Sequence, residues 1–143
     1  MSFEGTWFNE LNSEMKLMPA SDKLIKGSYA SGVGGSPNNF LDLVGFVDTN
    51  PLAYSQAIAW VVVWNYGVGN NFNSITTWSG QYQINQKTQE EEIITTLLLT
   101  KEMEAENDWE STLVGQDVFK RNPPSEEQRL SRQRRAPSHP TIE

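Results

Sequence analysis

Cysteine is absent from the 143 residues, which excludes a disulfide framework, a thiol nucleophile and any cysteine-based zinc or iron–sulfur centre. Histidine is almost absent. The one copy, His139, sits near the C-terminal end, so a Ser–His–Asp triad would need that end to fold back into the core. Positive charge is scarce, since residues 1–121 carry 7 basic against 15 acidic side chains, a balance that disfavours nucleic-acid binding. Long apolar runs are missing as well. The longest, Ala57–Trp64, covers 8 residues, the length of a strand rather than the roughly 18–20 of a membrane span. No membrane partner is expected.

The segment Met1-Ser2-Phe3-Glu4 has neither a basic start nor an apolar stretch, so no secretory signal is expected in this chain. A cytoplasmic protein and a mature exported form both fit. Paired carboxylates occur only in the acidic runs Glu90–Glu92 and Glu102–Glu110, which read as solvated faces. The glycine cluster Gly32-Val33-Gly34-Gly35 leads into a polar loop without a helix, which is no phosphate cradle. No catalytic residue emerges, and no metal or cofactor is expected.

What the chain does have is aromatic surface and turn residues. Five Trp accompany 37% hydrophobic and 20% charged residues, a composition that folds into one core. Candidate strands are Gly5–Leu11, Glu14–Met18, Lys23–Ala30, Phe40–Val47, Gln56–Tyr66, Ser74–Ile84, Glu92–Thr100 and Ser111–Arg121. Gly, Asn, Pro and Ser fill the breaks between them. Lys101–Glu110 reads as a loop with one helical turn. The expected class is all-β, an eight-stranded antiparallel up-and-down β-barrel, because closing a meander removes its exposed edges. The barrel domain is expected over residues 1–121. Composition then shifts to Pro, Arg and Glu, and residues 122–143 read as a polar, disordered C-terminal tail in which a short helix across Glu126–Arg135 would be marginal. A tail of that length can also reach a pocket mouth, where Pro137–Ile142 would compete with a ligand.

Side chains of one parity within a strand share a face. Trp7, Asn9 and Leu11 align, with Ser13 just beyond, and Tyr29 aligns with Ser31. Trp60, Val62 and Trp64 form another set, as do Ser74, Thr76 and Trp78, Leu97 and Leu99, and Leu113, Gly115, Asp117 and Phe119. The aromatic members belong inside, so the polar members face the interior beside them. An unpaired buried polar group costs on the order of 1–3 kcal/mol, so these groups need partners. A packed barrel with mutually bonded polar groups and a ligand-filled one both meet that need.

Four ordered motifs sharpen the choice: Gly5-Thr6-Trp7-Phe8-Asn9, Gly27-Ser28-Tyr29-Ala30-Ser31, Thr77-Trp78-Ser79-Gly80-Gln81-Tyr82 and Trp109-Glu110-Ser111-Thr112-Leu113-Val114-Gly115. Together they resemble the avidin family from about Phe3 to Arg121. The resemblance implies non-enzymatic, high-affinity binding of biotin and biotinylated molecules, export to a secreted or periplasmic location, and a homo-oligomer, a tetramer rather than a dimer. It implies that Asn9, Ser13 and Tyr29 donate to the ureido oxygen, and that Ser31 and Asp117 accept from the ureido N–H groups. Thr76 would meet the sulfur, while Ser74 and the backbone around Val33 and Gly35 would meet the carboxylate. Trp64 and Trp78 would wall the ring with Leu11 and Leu99, and Trp109 would enter a neighbour's pocket. Three positions depart from the pattern: Leu97 replaces a pocket tryptophan, Gly35 a larger polar loop residue and Gln116 an interface histidine. Phe72 adds apolar area beside the carboxylate end. The rival reading is a lipocalin-like carrier of another small apolar ligand, which would lack affinity for ureido compounds.

Overall fold

The computed structural model describes residues 2–32, 39–66 and 71–132; Val33, Gly35 and Pro137–Ile142 lie outside them. Eight strands follow in chain order: β1 (Gly5–Phe8), β2 (Glu14–Pro19), β3 (Leu24–Ala30), β4 (Leu41–Val47), β5 (Ser55–Asn65), β6 (Asn71–Ile84), β7 (Glu91–Lys101) and β8 (Thr112–Lys120). Each pairs antiparallel with the next, and β8 returns to β1, closing the barrel that the alternation implies. The helical turn expected in Lys101–Glu110 is a 3₁₀ segment, Ala105–Glu110. The short helix that the tail composition allows is α1, Glu126–Arg132.

Interior packing follows parity. Trp7, Trp60, Trp64, Trp78, Tyr29, Tyr82 and Phe119 are buried and form one cluster with Met15, Leu17, Ile25, Leu43, Ile93 and others. Trp60 stacks on Trp78 at 5.6 Å and meets Phe119 edge-on at 5.4 Å. Burying large apolar side chains contributes about 1.5–3 kcal/mol each, so these rings dominate the core. Inward-facing Gly80 is needed for close approach, because a Cβ there would collide with the backbone of Ile94 and Thr95 on β7.

The seam between β1 and β8 is the weakest join. Its ladder has a single registered pair, Phe8↔Lys120, whereas β6 and β7 register from Ser74↔Lys101 to Ile84↔Glu91. Arg121 supplies what the ladder lacks. Its guanidinium donates to the carbonyls of Ser2 (2.9 Å), Glu4 (3.0 Å) and Thr6 (3.4 Å) on the β1 side. It also grips both carboxylate oxygens of Glu91 at 3.0 and 3.2 Å and lies 3.8 Å above the Trp7 ring. Higher up the same seam, a cavity of about 460 Å³ separates α1 from the barrel, bounded by Phe8, Val118, Pro124, Glu127 and Gln128.

Topology sorts the connections by end. The Arg121 end holds the β2–β3, β4–β5 and β6–β7 turns. The opposite end gathers Asn9–Ser13, Ser31 and Gly32 after β3, Asn39 and Phe40 before β4, Tyr66 after β5, and Glu102–Ser111. The polar interior residues belong to that second end.

Candidate functional site

The first wall of the site comes from the break between β1 and β2. Asn9 leaves the ladder and turns its carboxamide oxygen to the backbone N–H groups of Leu11 and Ser13, both at 2.9 Å. That side-chain capture, with Asn12 at φ 64, makes the tight turn. Because the oxygen is occupied by two donors, the Asn9 amide nitrogen must face the interior, where it donates to the Tyr29 hydroxyl at 3.2 Å. Ser13 Oγ accepts from Gly32 N–H at 3.1 Å, which ties this turn to the end of β3. Asn9, Ser13, Tyr29 and Ser31 are all buried.

The Tyr29 ring is held by two tryptophans. It lies 5.0 Å from Trp78 and 5.7 Å from Trp64, the latter edge-on at 84°. Trp64 donates its indole N–H to Thr76 Oγ1 at 2.8 Å across the β5–β6 pair. Trp78 donates to Asp117 Oδ2 at 2.9 Å, and Thr95 donates to the Asp117 backbone carbonyl at 2.9 Å. A continuous chain of contacts therefore runs from Ser13 and Asn9 through Tyr29 and Trp78 to Asp117. It sets hydroxyl and amide donors at one end of a buried, aromatic interior and a carboxylate acceptor at the other. Charged acceptors form hydrogen bonds roughly twice as strong as neutral ones, and a low dielectric strengthens them further.

Ser74 Oγ is buried and has no hydrogen-bond partner among the described residues. Its parity places it with Thr76 and Trp78 on the inner face of β6, while Phe72, on the far side of Asn73 at φ 50, packs against the core cluster. Trp60 Nε1 is also buried and unpartnered, deeper in the core, and sequence parity flagged its burial without singling out that donor. Leu11, Leu97 and Leu99 are buried apolar neighbours on this side of the interior. Phe72 is half-buried and meets Tyr66 edge-on at 5.9 Å and 86°. The structure thus brings together Asn9, Ser13, Tyr29, Ser31, Trp64, Thr76, Trp78 and Asp117, with the leucines as lining. Trp109 is not among them. It lies in the 3₁₀ segment with 79% of its surface exposed, away from its own barrel's core.

Outside, a second apolar feature runs across the sheet. Register aligns Val44, Val61, Thr77, Leu98 and Val114 in one row over β4 to β8, and Val44, Leu98 and Val114 are exposed. No helix among the described residues is long and apolar enough to cross a membrane. A protein-family model described as the avidin family matches residues 1–122.

Proposed function

The chain belongs to the avidin family, whose members are binding proteins rather than enzymes, and on that premise we propose that it binds biotin non-covalently inside the barrel. One observation carries the reading: the linked set Ser13, Asn9, Tyr29, Trp78 and Asp117 holds donors and a carboxylate acceptor within an aromatic interior. A ureido ring has one strong acceptor oxygen and two N–H donors, which that set matches. Asn9, Ser13 and Tyr29 donate to the oxygen, while Asp117 and Ser31 accept from the nitrogens. Three donors on one carbonyl pull its electrons toward oxygen and leave the N–H groups more acidic, so the bonds on the two sides reinforce each other. Trp64 and Trp78 cover the ring and Thr76 meets the sulfur. The Ser74 hydroxyl, with the backbone around Val33 and Gly35, takes the carboxylate. Leu11, Leu97, Leu99 and Phe72 supply the rest of the apolar wall. No catalytic residue or cofactor is part of this reading.

Assembly follows from the surface. Family members usually form oligomers, and the exposed Val44, Leu98 and Val114 row suits a self-complementary contact. Trp109 then completes a neighbour's pocket rather than its own, in a homotetramer rather than a dimer. Biotinylated molecules are the natural partners, and the family's general extracellular setting makes a secreted or periplasmic protein the expected form.

Thermal denaturation with and without ligand tests the binding claim. Only the folded barrel has the site, so biotin at 1,000 times its Kd adds about 4.1 kcal/mol to stability by mass action. Saturating biotin is expected to raise Tm, and a fatty acid or retinoid lacking a ureido group is not. Stabilisation by those apolar compounds and none by biotin would favour the lipocalin-like carrier.

A further inference from the structure

No residue of α1 belongs to the proposed site, yet the helix lies across the seam that the site straddles. Its start is written into the sequence. Ser125 Oγ accepts from the Gln128 N–H at 3.2 Å, and Gln128 Oε1 accepts from the Ser125 N–H at 2.9 Å, a reciprocal cap that closes the first turn. Pro123 and Pro124 restrict the backbone between β8 and that cap. Seven residues make a marginal helix alone, so α1 depends on what it rests against. Its Gln128 and Ser131 share a cavity of about 460 Å³ with Phe8, Asn9, Glu10 and Lys120, and Phe8 and Lys120 are the one registered pair of the β1–β8 seam.

Asn9 belongs to both sides of this wall. Outside, it borders the cavity under α1. Inside, its amide donates to the Tyr29 hydroxyl at 3.2 Å. Its backbone is committed as well, because its N–H donates to the Ser13 carbonyl at 3.2 Å and its carbonyl accepts from the Asn12 N–H at 3.0 Å. The turn is thus one bonded unit, and a support against its outer side steadies the donor on its inner side. Across the seam, β8 carries Asp117, the acceptor that Trp78 holds. A ligand bonded to Asn9 and Asp117 joins the end of β1 to β8 from within, and α1 joins the same two segments from without. The outer join is loose. The cavity has room for several waters, and Arg129 Nε is buried with no hydrogen-bond partner among the described residues.

We propose that α1 is a strap over the β1–β8 seam that closes as the ligand binds, so that docking of α1 and occupation of the barrel strengthen each other. This rests on the biotin reading and gives the residues after the barrel a part in retaining the ligand. Such coupling is reciprocal: the factor by which the docked strap tightens the ligand is the factor by which the ligand tightens the strap. Its sign is opposite to that of a tail competing for the site.

Biotin release and amide hydrogen exchange, both in the full-length chain, test the two directions. Leu130→Pro removes a helical N–H in the middle of α1 and alters a side chain that is exposed, so it melts the strap and spares the barrel. It is expected to speed biotin release by about fivefold, the low end of such couplings, and to change association by less than about twofold. Leu130→Ala keeps the helix and is expected to release biotin at the wild-type rate. In wild type, saturating biotin is expected to slow exchange of the Arg129–Arg132 amides by a similar factor. That measurement needs no variant, so it stands even if Leu130→Pro fails to fold. Unchanged or slower release from folded Leu130→Pro, or exchange in α1 that biotin does not alter, overturns the strap while leaving the biotin reading in place. Failure of wild type to bind biotin overturns the biotin reading itself, and the coupling with it.

Discussion

Replacing Arg121 by Ala should open the barrel at its weakest seam. The residue follows β8 and reaches across the seam to the β1 side, joining Ser2, Glu4 and Thr6 where the β1–β8 ladder has one registered pair. Three carbonyl bonds at about 1 kcal/mol each set the scale, and the longest of them, to Thr6 at 3.4 Å, is the weakest. The ring contact with Trp7 adds about 0.5–1 kcal/mol. The Glu91 pair adds less than its bidentate geometry suggests, because the two side chains are 27% and 36% exposed and water screens them. Shared geometry makes these contributions overlap, so a loss of about 3 kcal/mol is expected. For a chain of this size that lowers Tm by about 10 °C. Arg121→Lys keeps a cation over Trp7 but not the planar fork, and should recover about a third of the loss. Chemical denaturation of the three proteins gives the numbers. A loss below about 1 kcal/mol for Arg121→Ala would show that the seam is held by the interior aromatic packing and not by this clasp.

The same cluster sets the pH limits. Arg121, the largest influence, holds Glu91 below the usual carboxylate range, so its stabilisation is complete above pH 4.5 and fades as acid protonates the folded form. Tyr82 is pushed up to about 12, first by burial and then by its hydrogen bond to Glu91, so its stabilisation is complete below pH 10 and is lost as pH rises from 10 towards 12. Denaturation midpoints flat across those limits would remove both groups from the account. Asp117→Asn keeps an acceptor for Trp78 Nε1 while removing the charge, and should weaken biotin by about tenfold to a hundredfold; unchanged affinity would deny Asp117 its role. Leu98→Lys places a charge in the outer apolar row, and light scattering should report a smaller assembly, whereas an unchanged mass would move the interface elsewhere.

The barrel was legible because period-two alternation is strong where one face is buried. Trp60, Val62 and Trp64 on β5 and Thr76 and Trp78 on β6 declare the inner face in the sequence, and their burial follows. Strand ends were less legible. Alternation carries Gly5–Leu11 as one strand, yet β1 ends at Phe8, because the Asn9 side chain captures two backbone N–H groups and ends the ladder. At β6 the hairpin with β5 extends pairing back to Asn71, through a polar, Asn-rich stretch that composition assigns to a turn. Among the site residues, parity found the inward polar set but gave no sign of which donors were already engaged. That Asn9 oxygen is occupied while Ser74 Oγ has no partner among the described residues depends on three-dimensional neighbours. The Arg121 clasp was hidden for a similar reason: it joins residues more than a hundred positions apart, just past the last strand, where alternation has stopped.

Isothermal titration of the purified chain with biotin tests the central claim most directly. The account predicts saturation at one biotin per barrel and a negative heat-capacity change from burial of the apolar ligand. A displacement titration with an analogue lacking the ureido group should fail to compete. Absence of binding heat together with no protection of the tryptophan fluorescence from quencher at saturating biotin would contradict it. So would binding that the analogue matches, since the Asn9, Tyr29 and Asp117 set would then recognise nothing in the ring.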